Sequence, residues 1–480
     1  MTGSSFLPRH LHYSSIPVHK NATVIRPGPE PSARWPTVIF SHGLGGNRNT
    51  YSHLAGSLAS HGVVVVCPEH RDGSAAVSLI RDPHNQDRFF TRNTRREVSY
   101  QYLPHTPDKQ VWEARDRQVR IRLWELGLAF EAISGIDNGD KRLVRSNMNK
   151  TTPEPALSQL SGLLDVQEAG RTIFAGHSFG AASIVQLLKS TYYADRPELK
   201  AMSDPFFTPA KGSSIRRQIT ERSPAILLDM WCMPLLSAVA DPLFNLPLPI
   251  YADTPSAPGG SALLAIESDH FFKWKENLHL KARILSPEPS ARIVSSSAFE
   301  RSGSRDRFPE PSFFYVKHSA HLNQSDFGIL FPWLTKRVFG AEQPERCLRL
   351  NMRAQLQFLR INGYAVASTS ACDLTDGDAC QGERTGPRVL KEGVDDDKAI
   401  LAPDGAIEAW GRISVVGLGA SAGPSELDRI SGTRNQSEER RAEEGEREME
   451  GEMEPSRSTP EEEKKVLERV KSVGERTGLC

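Results

Sequence analysis

Short apolar stretches alternate with longer stretches of helical periodicity between about residue 36 and about residue 340. The apolar stretches are nearly continuous, which is typical of strands that are buried on both faces of a parallel sheet. They comprise residues 37–40, 62–67, 172–175, 225–228, 263–266 and 312–316. Helical patterns lie between them at residues 118–133 and 181–188, and residues 135–139 have the composition of a helix-ending turn. The alternation predicts an α/β fold whose mostly parallel sheet is flanked by helices.

The same pattern divides the chain into three regions. Residues 1–35 form a short N-terminal segment, and residues 36–345 form the predicted α/β domain. Residues 346–480 are rich in Gly, Ser, Glu and Arg, and the last part of this region has few aromatic side chains. Such a composition buries too little apolar surface to offset the entropy lost on ordering. We therefore expect a mostly disordered tail.

Composition excludes several classes of protein. The chain has 480 residues, of which 38% are apolar and 25% are charged, and its formal net charge is +0. Balanced charge gives no electrostatic argument for a nucleic-acid partner. The first twenty residues contain no continuous apolar segment of the kind found in secretion signals, and no run reaches the roughly 18 apolar residues of a membrane-spanning helix. We therefore expect a cytoplasmic protein that is at most peripherally attached to membranes. The sequence does not determine its oligomeric state.

Cysteine spacing gives no sign of a metal site. The six cysteines are scattered along the chain, and none belongs to a CxxC pair. No cluster of Cys and His has the spacing of a zinc site either. The sequence therefore predicts no bound metal, and the cysteines next to apolar strands are expected to be free thiols.

The most informative segment ends the apolar stretch near residue 175 with Gly176-His-Ser178-Phe-Gly180, after which a helical pattern begins at once. A G-x-S-x-G sequence between a strand and a helix is a nucleophile elbow, a strained turn that exposes a serine hydroxyl above the sheet edge. Glycines are needed on both sides because larger side chains would collide with neighbouring backbone. The pattern predicts that Ser178 is a nucleophile.

A glycine-rich loop, Ser41-His42-Gly-Leu44-Gly-Gly, follows the first predicted strand. In enzymes with a serine elbow, such a loop supplies one backbone N–H to the oxyanion, and the residue after the serine supplies the other. The predicted donors are the amides of Leu44 and Phe179. A phosphate-binding loop is the alternative, but no Lys-Ser/Thr pair follows. His42 precedes the serine, whereas this arrangement places the base after it, so His42 is interpreted as a loop-ordering residue.

Candidates for the acid and the base stand where three later predicted strands end. They are Asp229, then Glu267 and Asp269, and finally His318 and His321. A triad needs one neutral imidazole that is hydrogen-bonded to the serine and oriented by a buried carboxylate. The residue pattern alone does not choose among these pairs.

Six stretches occur in an order that carries a family resemblance. They are residues 40–45, residues 58–72 with Glu69-His70-Arg71-Asp72 at their end, residues 115–120, residues 176–180, Leu228-Asp229 with Pro234-Leu235, and His321-Leu-Asn-Gln-Ser-Asp326-Phe327. Together they resemble the plasma-type platelet-activating-factor acetylhydrolase family, in its fungal or broadly eukaryotic form. The resemblance covers roughly residues 36–335, and the segments at 69–72 and 321–327 are more specific than the serine elbow.

The resemblance implies an α/β-hydrolase fold and a triad of Ser178, Asp229 and His321, with Leu44 and Phe179 at the oxyanion hole. Residues of the family pattern that are expected to support the site without reacting are Glu69, His70, Arg71 and Asp326. The implied activity is a calcium-independent hydrolysis, without metal or organic cofactor, of short or oxidised acyl groups at the sn-2 position of phospholipids. A generic carboxylesterase of the dienelactone-hydrolase kind is the alternative, and a catalytically inactive interaction protein is a weaker one.

The chain departs from the family pattern in three places. Its short N-terminal segment predicts that the early edge strands are reduced or missing. A polar insertion at residues 192–222 is expected to form a lid or a surface excursion, and the charged tail has no counterpart. Aromatic residues at 206–207, 231 and 271–274 are candidates for a membrane-contacting patch, although core packing explains each of them singly.

Overall fold

The computed structural model describes residues 14–16, 18–30, 32–81, 95–105, 108–149, 152–153, 155–302, 305–374, 390–391, 396–402 and 407–419. The strands are β1 (Thr37–Ser41), β2 (Val64–Val66), β3 (Val77–Arg81), β4 (Arg95–Ser99), β5 (Ile173–His177), β6 (Ala225–Leu228), β7 (Leu263–Ser268), β8 (Ser312–Val316), β9 (Val366–Ala367), β10 (Leu390–Lys391) and β11 (Trp410–Arg412). All described residues except Ser14 fall in one unit, Ser15–Thr433.

The α-helices are α1 (Ser52–Ser60), α2 (Lys109–Asp137), α3 (Lys141–Arg145), α4 (Pro155–Ser158), α5 (Phe179–Tyr192), α6 (Pro197–Lys200), α7 (Ser214–Gln218), α8 (Asp241–Phe244), α9 (Asp269–Lys273), α10 (Lys275–Ile284), α11 (Phe327–Leu330), α12 (Pro332–Phe339), α13 (Pro344–Ile361), α14 (Ala371–Leu374) and α15 (Lys398–Leu401). Short 3-10 helices cover Met233–Leu235, Pro249–Tyr251, Gly259–Ala262, Ser296–Phe299 and His321–Gln324. The two predicted helical patterns lie inside α2 and α5.

A seven-stranded sheet forms the centre of the fold, in the order β11-β8-β7-β6-β5-β1-β2. Every neighbouring pair from β2 to β8 is parallel, and only β11 runs antiparallel to its neighbour β8. The six predicted apolar stretches coincide with β1, β2, β5, β6, β7 and β8. Strands β1, β5, β6 and β7 are buried at every position, which explains their continuous apolar sequences. This mostly parallel sheet confirms the predicted α/β-hydrolase fold.

Alternate residues of each strand contribute to two cores. In β1, Ile39 packs with α2 and α5 on one face of the sheet, whereas Val38 and Phe40 pack with α1 and α13 on the other. Helix α2 begins at Lys109 because the Asp108 side chain accepts a hydrogen bond from a first-turn amide, 2.9 Å from Val111 N. The sheet is therefore covered on both faces, as a parallel sheet requires.

The folded region continues past the boundary expected at residue 345. Helix α13 crosses that position, and Leu356, Phe358 and Leu359 on it are fully buried. Strand β11 then extends the sheet beyond β8. The predicted boundary at residue 345 is too early, because polar residues of this segment find buried partners, as Arg353 does in its ion pair with Asp397 at 2.8 Å. The disorder predicted for residues 420–480 lies outside the described part of the chain.

The insertion at residues 192–222 packs against α2 as a surface excursion. Phe206 and Phe207 are buried, and the amide of Ile215 donates to the Glu131 carboxylate on α2 at 3.2 Å. Trp231 is buried as well, so these three aromatic residues have the core role. Within the described residues no strand precedes β1, and β2 is the edge of the sheet. None of the described helices is both long enough and apolar enough to cross a membrane.

Candidate active site

The candidate site lies where the order of the strands reverses. Strand β1 stands between β2 and β5 in the sheet. The chain leaves β1 through α1 towards β2 but leaves β5 through α5 towards β6, so these two connections diverge at the carboxyl ends of β1 and β5. Crevices at such switch points are the usual ligand sites of open α/β sheets. The glycine-rich loop after β1 and the serine elbow after β5 meet here, because a Cβ added to Gly43 would lie 3.1 Å from the Cβ of Ser178.

The serine elbow has the predicted strand–turn–helix geometry. Ser178 stands between β5 and α5 with φ 56° and ψ −120°, a strained conformation for a residue with a side chain. A Cβ on Gly176 would lie 2.5 Å from the carbonyl carbon of Gly180. A Cβ on Gly180 would lie 2.0 Å from the Ser41 oxygen, so both glycines are required by close backbone contacts. Within the described residues the Ser178 hydroxyl makes no hydrogen bond, which leaves it available to an incoming group.

The structure pairs Asp229 with His321. Asp229 is fully buried, and its Oδ2 lies 3.0 Å from Nδ1 of His321. Its other oxygen accepts a hydrogen bond from the Ser268 amide at 2.6 Å, which fixes the orientation of the carboxylate. The remaining sequence candidates do not join this pair in the same way. Asp269 forms an ion pair with Lys273 on α9, and His318 is exposed.

Two aromatic rings hold the imidazole of His321. The ring of Phe271 stacks on it with a centroid distance of 4.3 Å and an interplanar angle of 10°. The ring of His177 lies on it at 4.3 Å and 30°. The imidazole side chain is 24% exposed. Because Nδ1 faces Asp229, the opposite nitrogen is the one available for proton transfer.

The amides of Leu44 and Phe179 are free to serve an oxyanion. The neighbouring loop amides are occupied, since Gly43 N donates to the Tyr51 hydroxyl at 3.0 Å and Gly45 N donates to the Ser74 carbonyl at 2.8 Å. In the described part of the chain, neither Leu44 N nor Phe179 N has an acceptor. Phe179 is the first residue of α5, where an amide has no partner within the helix. Both amides are therefore available to an acceptor, and their role at an oxyanion hole stays a prediction.

One grouping of possible metal ligands contains residues of this site. Ligand atoms of His177, Asp229 and His321 lie within 4.8 Å of one another. Their proximity follows from the hydrogen bond between His321 and Asp229 and from the packing of the two imidazole rings. This hydrogen bond and this ring packing account for the grouping.

A family model described as platelet-activating factor acetylhydrolase, isoform II, matches residues 7–367. The chain belongs to this family. The resemblance inferred from the motifs is thereby confirmed.

Individual relatives agree with the family match. A putative phospholipase A2 of Schizosaccharomyces pombe is 28% identical over 356 residues, which cover 72% of this chain and 72% of that protein. A platelet-activating factor acetylhydrolase of Canis lupus familiaris is 33% identical over 334 residues, which cover 68% of this chain but only 57% of the relative. A solved structure, a ferulic acid esterase from Streptomyces cinnamoneus, aligns over 69% of this chain and 68% of its own with a TM-score of 0.34 and 15% identity.

The family residues expected to support the site do so through hydrogen bonds. Glu69 accepts from the Arg48 amide at 3.1 Å, and Asp326 accepts from two amides at the start of α1, at 2.7 and 2.9 Å. Arg71 donates to Glu125 on α2 at 2.8 Å. His42 orders its own loop as predicted: its Nδ1 lies 2.8 Å from the Gly43 oxygen.

A buried network under the oxyanion loop was not predicted. Arg122 on α2 donates to Asp72 at 2.7 Å and to the backbone carbonyl of His42 at 2.7 Å. His70 bonds Glu125 at 3.0 Å and Ser41 at 2.9 Å. The sequence did contain one indication of this network. Arg122 lies on the apolar face of α2, where a cation must have a buried partner.

A second pair missed by the sequence connects the loop to the elbow. The Tyr51 hydroxyl accepts from Gly43 N and lies 2.8 Å from Nδ1 of His177. Burial, together with the charge of His321, lowers the pKa of His177 well below its usual range, so this ring is neutral. Tyr51 can then donate its proton to His177 Nδ1, which locks the loop against the nucleophile.

Proposed function

We propose that this protein is a serine esterase that hydrolyses the sn-2 acetyl, or short or oxidised acyl, ester of phospholipids, that is, a 1-alkyl-2-acetylglycerophosphocholine esterase. The observation that supports the proposal best is the buried Asp229–His321 pair beside a strained serine elbow. Membership of the acetylhydrolase family and the names of the relatives supply the substrate class.

In the proposed mechanism, His321 takes the Ser178 proton as the hydroxyl attacks the sn-2 carbonyl. Asp229 holds the imidazole in the tautomer with Nδ1 protonated, and the amides of Leu44 and Phe179 donate to the oxyanion. The lyso-phospholipid leaves from an acyl-serine, and a water activated by His321 then releases the carboxylic acid. None of these steps calls for calcium, another metal or an organic cofactor.

Packing prepares this mechanism before the substrate arrives. Phe271 and His177 enclose the imidazole plane, so His321 loses little rotational freedom on reaching its reactive orientation. The strain at Ser178 is maintained by glycine contacts that admit no other residue. Preorganised donors and bases of this kind supply most of the rate enhancement of hydrolytic enzymes.

The test is acetate release from a 1-alkyl-2-acetyl phosphocholine lipid by the purified chain, with a chelator present. We expect Ser178→Ala to lower the rate by about 10³- to 10⁶-fold, because no other nucleophile is placed at the elbow. Ser183→Ala is the matched control, since Ser183 is a buried serine on α5 whose hydroxyl bonds the Phe179 carbonyl at 2.8 Å. It should leave the rate nearly unchanged.

Two outcomes would change the proposal. Cleavage of a simple aryl acetate through Ser178 without acetate release from the lipid would keep the esterase and reject the phospholipid substrate. Failure of a fluorophosphonate probe to label Ser178 would reject the enzyme and favour an interaction protein. Cytoplasmic location and peripheral contact with a lipid surface remain predictions from the sequence, and a vesicle co-sedimentation assay would test the contact.

A further inference from the structure

A buried ion pair lies behind the acid of the proposed triad. Glu267 is near the end of β7, and its carboxylate contacts the ammonium group of Lys281 on α10. Both side chains are fully buried. The mechanism proposed above uses neither of them, although a buried charge pair is costly to maintain unless it has a compensating role.

Glu267 also faces the triad carboxylate itself. Strand pairing sets Glu267 next to Asp229, because Ile266 of β7 is in register with Leu228 of β6, and the interaction with Asp229 acts to raise the pKa of Glu267. The Oε1 atom of Glu267 is buried without a donor in the described part of the chain. Two carboxylates in contact repel each other strongly when both are ionised. A proton on Glu267 removes that repulsion and turns the contact into a hydrogen bond.

The electrostatic surroundings favour such a proton. Burial, opposed by the charge of Lys281 and assisted by that of Asp229, raises the pKa of the Glu267 carboxyl to about 8. Other titratable groups around this cluster are Cys232 after β6, Cys347 on α13, His270 on α9, His177 and His321. Burial leaves the two thiols uncharged, because it raises the pKa of each to about 12.

We propose that Glu267 and Lys281 form a positioning pair, in which a protonated Glu267 donates a hydrogen bond to Asp229 and so orients that carboxylate towards His321. Lys281 holds the other Glu267 oxygen, which directs the O–H towards Asp229. This inference rests on the proposed triad. Asp229 then receives three donors, the Ser268 amide, the His321 imidazole and the Glu267 carboxyl.

Helix α10 also contacts two neighbours of the acid–base pair. Lys281 Nζ lies 5.2 Å from the centroid of the Phe271 ring, and Phe271 stacks on His321. One helical turn earlier, Asn277 accepts from the Cys232 amide at 2.9 Å and donates to the Met230 carbonyl at 3.0 Å. The helix therefore braces the loop after Asp229 as well as its side chain.

The kinetic test compares Glu267→Gln with Glu267→Leu in the full chain, with 4-nitrophenyl acetate as substrate. Gln has the charge of a protonated Glu and keeps an N–H that donates to Asp229, so kcat should stay within about threefold of wild type. Leu removes the donor, and a carboxylate displaced by a fraction of an ångström should lower kcat by about tenfold to a hundredfold, with KM unchanged.

Loss of a buried carboxyl can lower the measured rate simply because less of the protein folds. We therefore divide the rate by the concentration of active sites, which is measured by titration with a fluorophosphonate. Asp137→Leu is the matched control, because Asp137 is a buried carboxylate that bonds Leu164 N at 2.9 Å and Gln167 at 2.9 Å, away from the triad residues. It should lower the melting temperature but leave kcat per titrated site unchanged. Equal kcat values for wild type and Glu267→Leu would overturn the positioning role.

An infrared measurement tests the proton directly and does not depend on activity. The difference spectrum between wild type and Glu267→Gln should contain the carbonyl band of a protonated carboxylic acid at pH 7, and the band should vanish as the pH rises through about 8. Absence of the band at pH 7 would overturn the proposal even if Glu267→Leu fails to fold. Failure of the fluorophosphonate to label Ser178 in wild type would instead overturn the proposed function.

Discussion

Two buried carboxyl groups flank the candidate site, and each of them faces one buried cation. Asp72 contacts Arg122 beneath the oxyanion loop, whereas Glu267 contacts Lys281 behind Asp229. Burial acts to raise both pKa values, yet the outcomes are opposite. The charges of Arg122 and His70 and the donors around Asp72 hold its pKa at about 2, whereas the pKa of Glu267 is raised to about 8.

The number of donors and the nearest like charge explain the difference. Asp72 accepts from Arg122 at 2.7 Å, from the Ser74 amide at 3.1 Å and from the Ser74 hydroxyl. Among the described residues Glu267 has one donor, Lys281, and it adjoins the carboxylate of Asp229. A neighbouring cation is therefore not enough to keep a buried carboxyl ionised.

The two pairs also suit different tasks. Arg122 must remain bound to Asp72 because it also donates to the His42 carbonyl and so fixes the loop that carries the Leu44 amide. A permanent ion pair provides that fixed geometry. The Glu267 pair adjoins a side chain that is proposed to stabilise an imidazolium during catalysis, and a neutral donor there leaves the full negative charge on Asp229.

Within this comparison of the two carboxyl pairs, the largest predicted effect comes from replacing Asp229, the charged neighbour of Glu267. Asp229→Asn should lower kcat/KM for an acetyl ester by about 10³- to 10⁴-fold, because the imidazole loses its orienting carboxylate. The same substitution should lower the pKa of Glu267, since the repulsion from Asp229 disappears, and the infrared band of the protonated carboxyl would then titrate at lower pH. Steady-state kinetics and infrared titration measure the two effects.

Asp269→Asn provides the control for this prediction. Asp269 also follows β7 but forms an ion pair with Lys273, which is largely exposed. Because exposed pairs contribute little, kcat/KM should change by no more than about twofold. A large loss of activity in Asp269→Asn, together with retained activity in Asp229→Asn, would show that Asp229 is not the acid.

The sequence predicted the local parts of the site better than its long-range partners. Each apolar strand and the elbow at Ser178 are encoded in a few consecutive residues, so pattern alone could find them. The acid and the base were left open by the pattern, and only the family resemblance paired Asp229 with His321. The structure contains that pair, while the catalytic roles of its members remain proposals.

Other features could not be predicted because their partners are distant in the chain. Arg122 and Asp72 are 50 positions apart, and Tyr51 and His177 are 126 apart. A charged residue looks solvated until the fold brings its partner to it. The same reason hid α13, whose charged residues look solvated in the sequence. Strand β11 was hidden because it has only three residues and pairs with the distant strand β8.

Removal of the cation should distinguish the two pairs by their cost in stability. Arg122→Met leaves an ionised Asp72 buried and unpaired, and should lower the free energy of unfolding by about 3–5 kcal/mol. Lys281→Met leaves a neutral carboxyl that lacks one donor, and should cost about 1–3 kcal/mol. Urea denaturation of both variants at pH 7 measures the difference. Equal costs would mean that Glu267 is ionised in the folded protein and that the contrast between the pairs is false.

The two carboxyl groups should also give opposite pH dependences of stability. Asp72 has a folded pKa of about 2, below its usual 3.8, so its contribution is present above about pH 4 and is lost as the pH falls towards 2. At about 1.4 kcal/mol per pKa unit, the stability difference between wild type and Asp72→Asn should shrink by about 1 kcal/mol from pH 6 to pH 3.

Glu267 should show the reverse slope in the same urea experiments. Its folded pKa of about 8 lies above its usual 4.5, so the unfolded chain releases the proton first and wild type loses stability as the pH rises between these values. Glu267→Gln has no such proton. Its free energy of unfolding, relative to that of wild type, should therefore increase from pH 5 to pH 8. Parallel curves for Glu267→Gln and wild type over that range would show that Glu267 is ionised throughout, because only a proton retained by the folded state couples its stability to pH here.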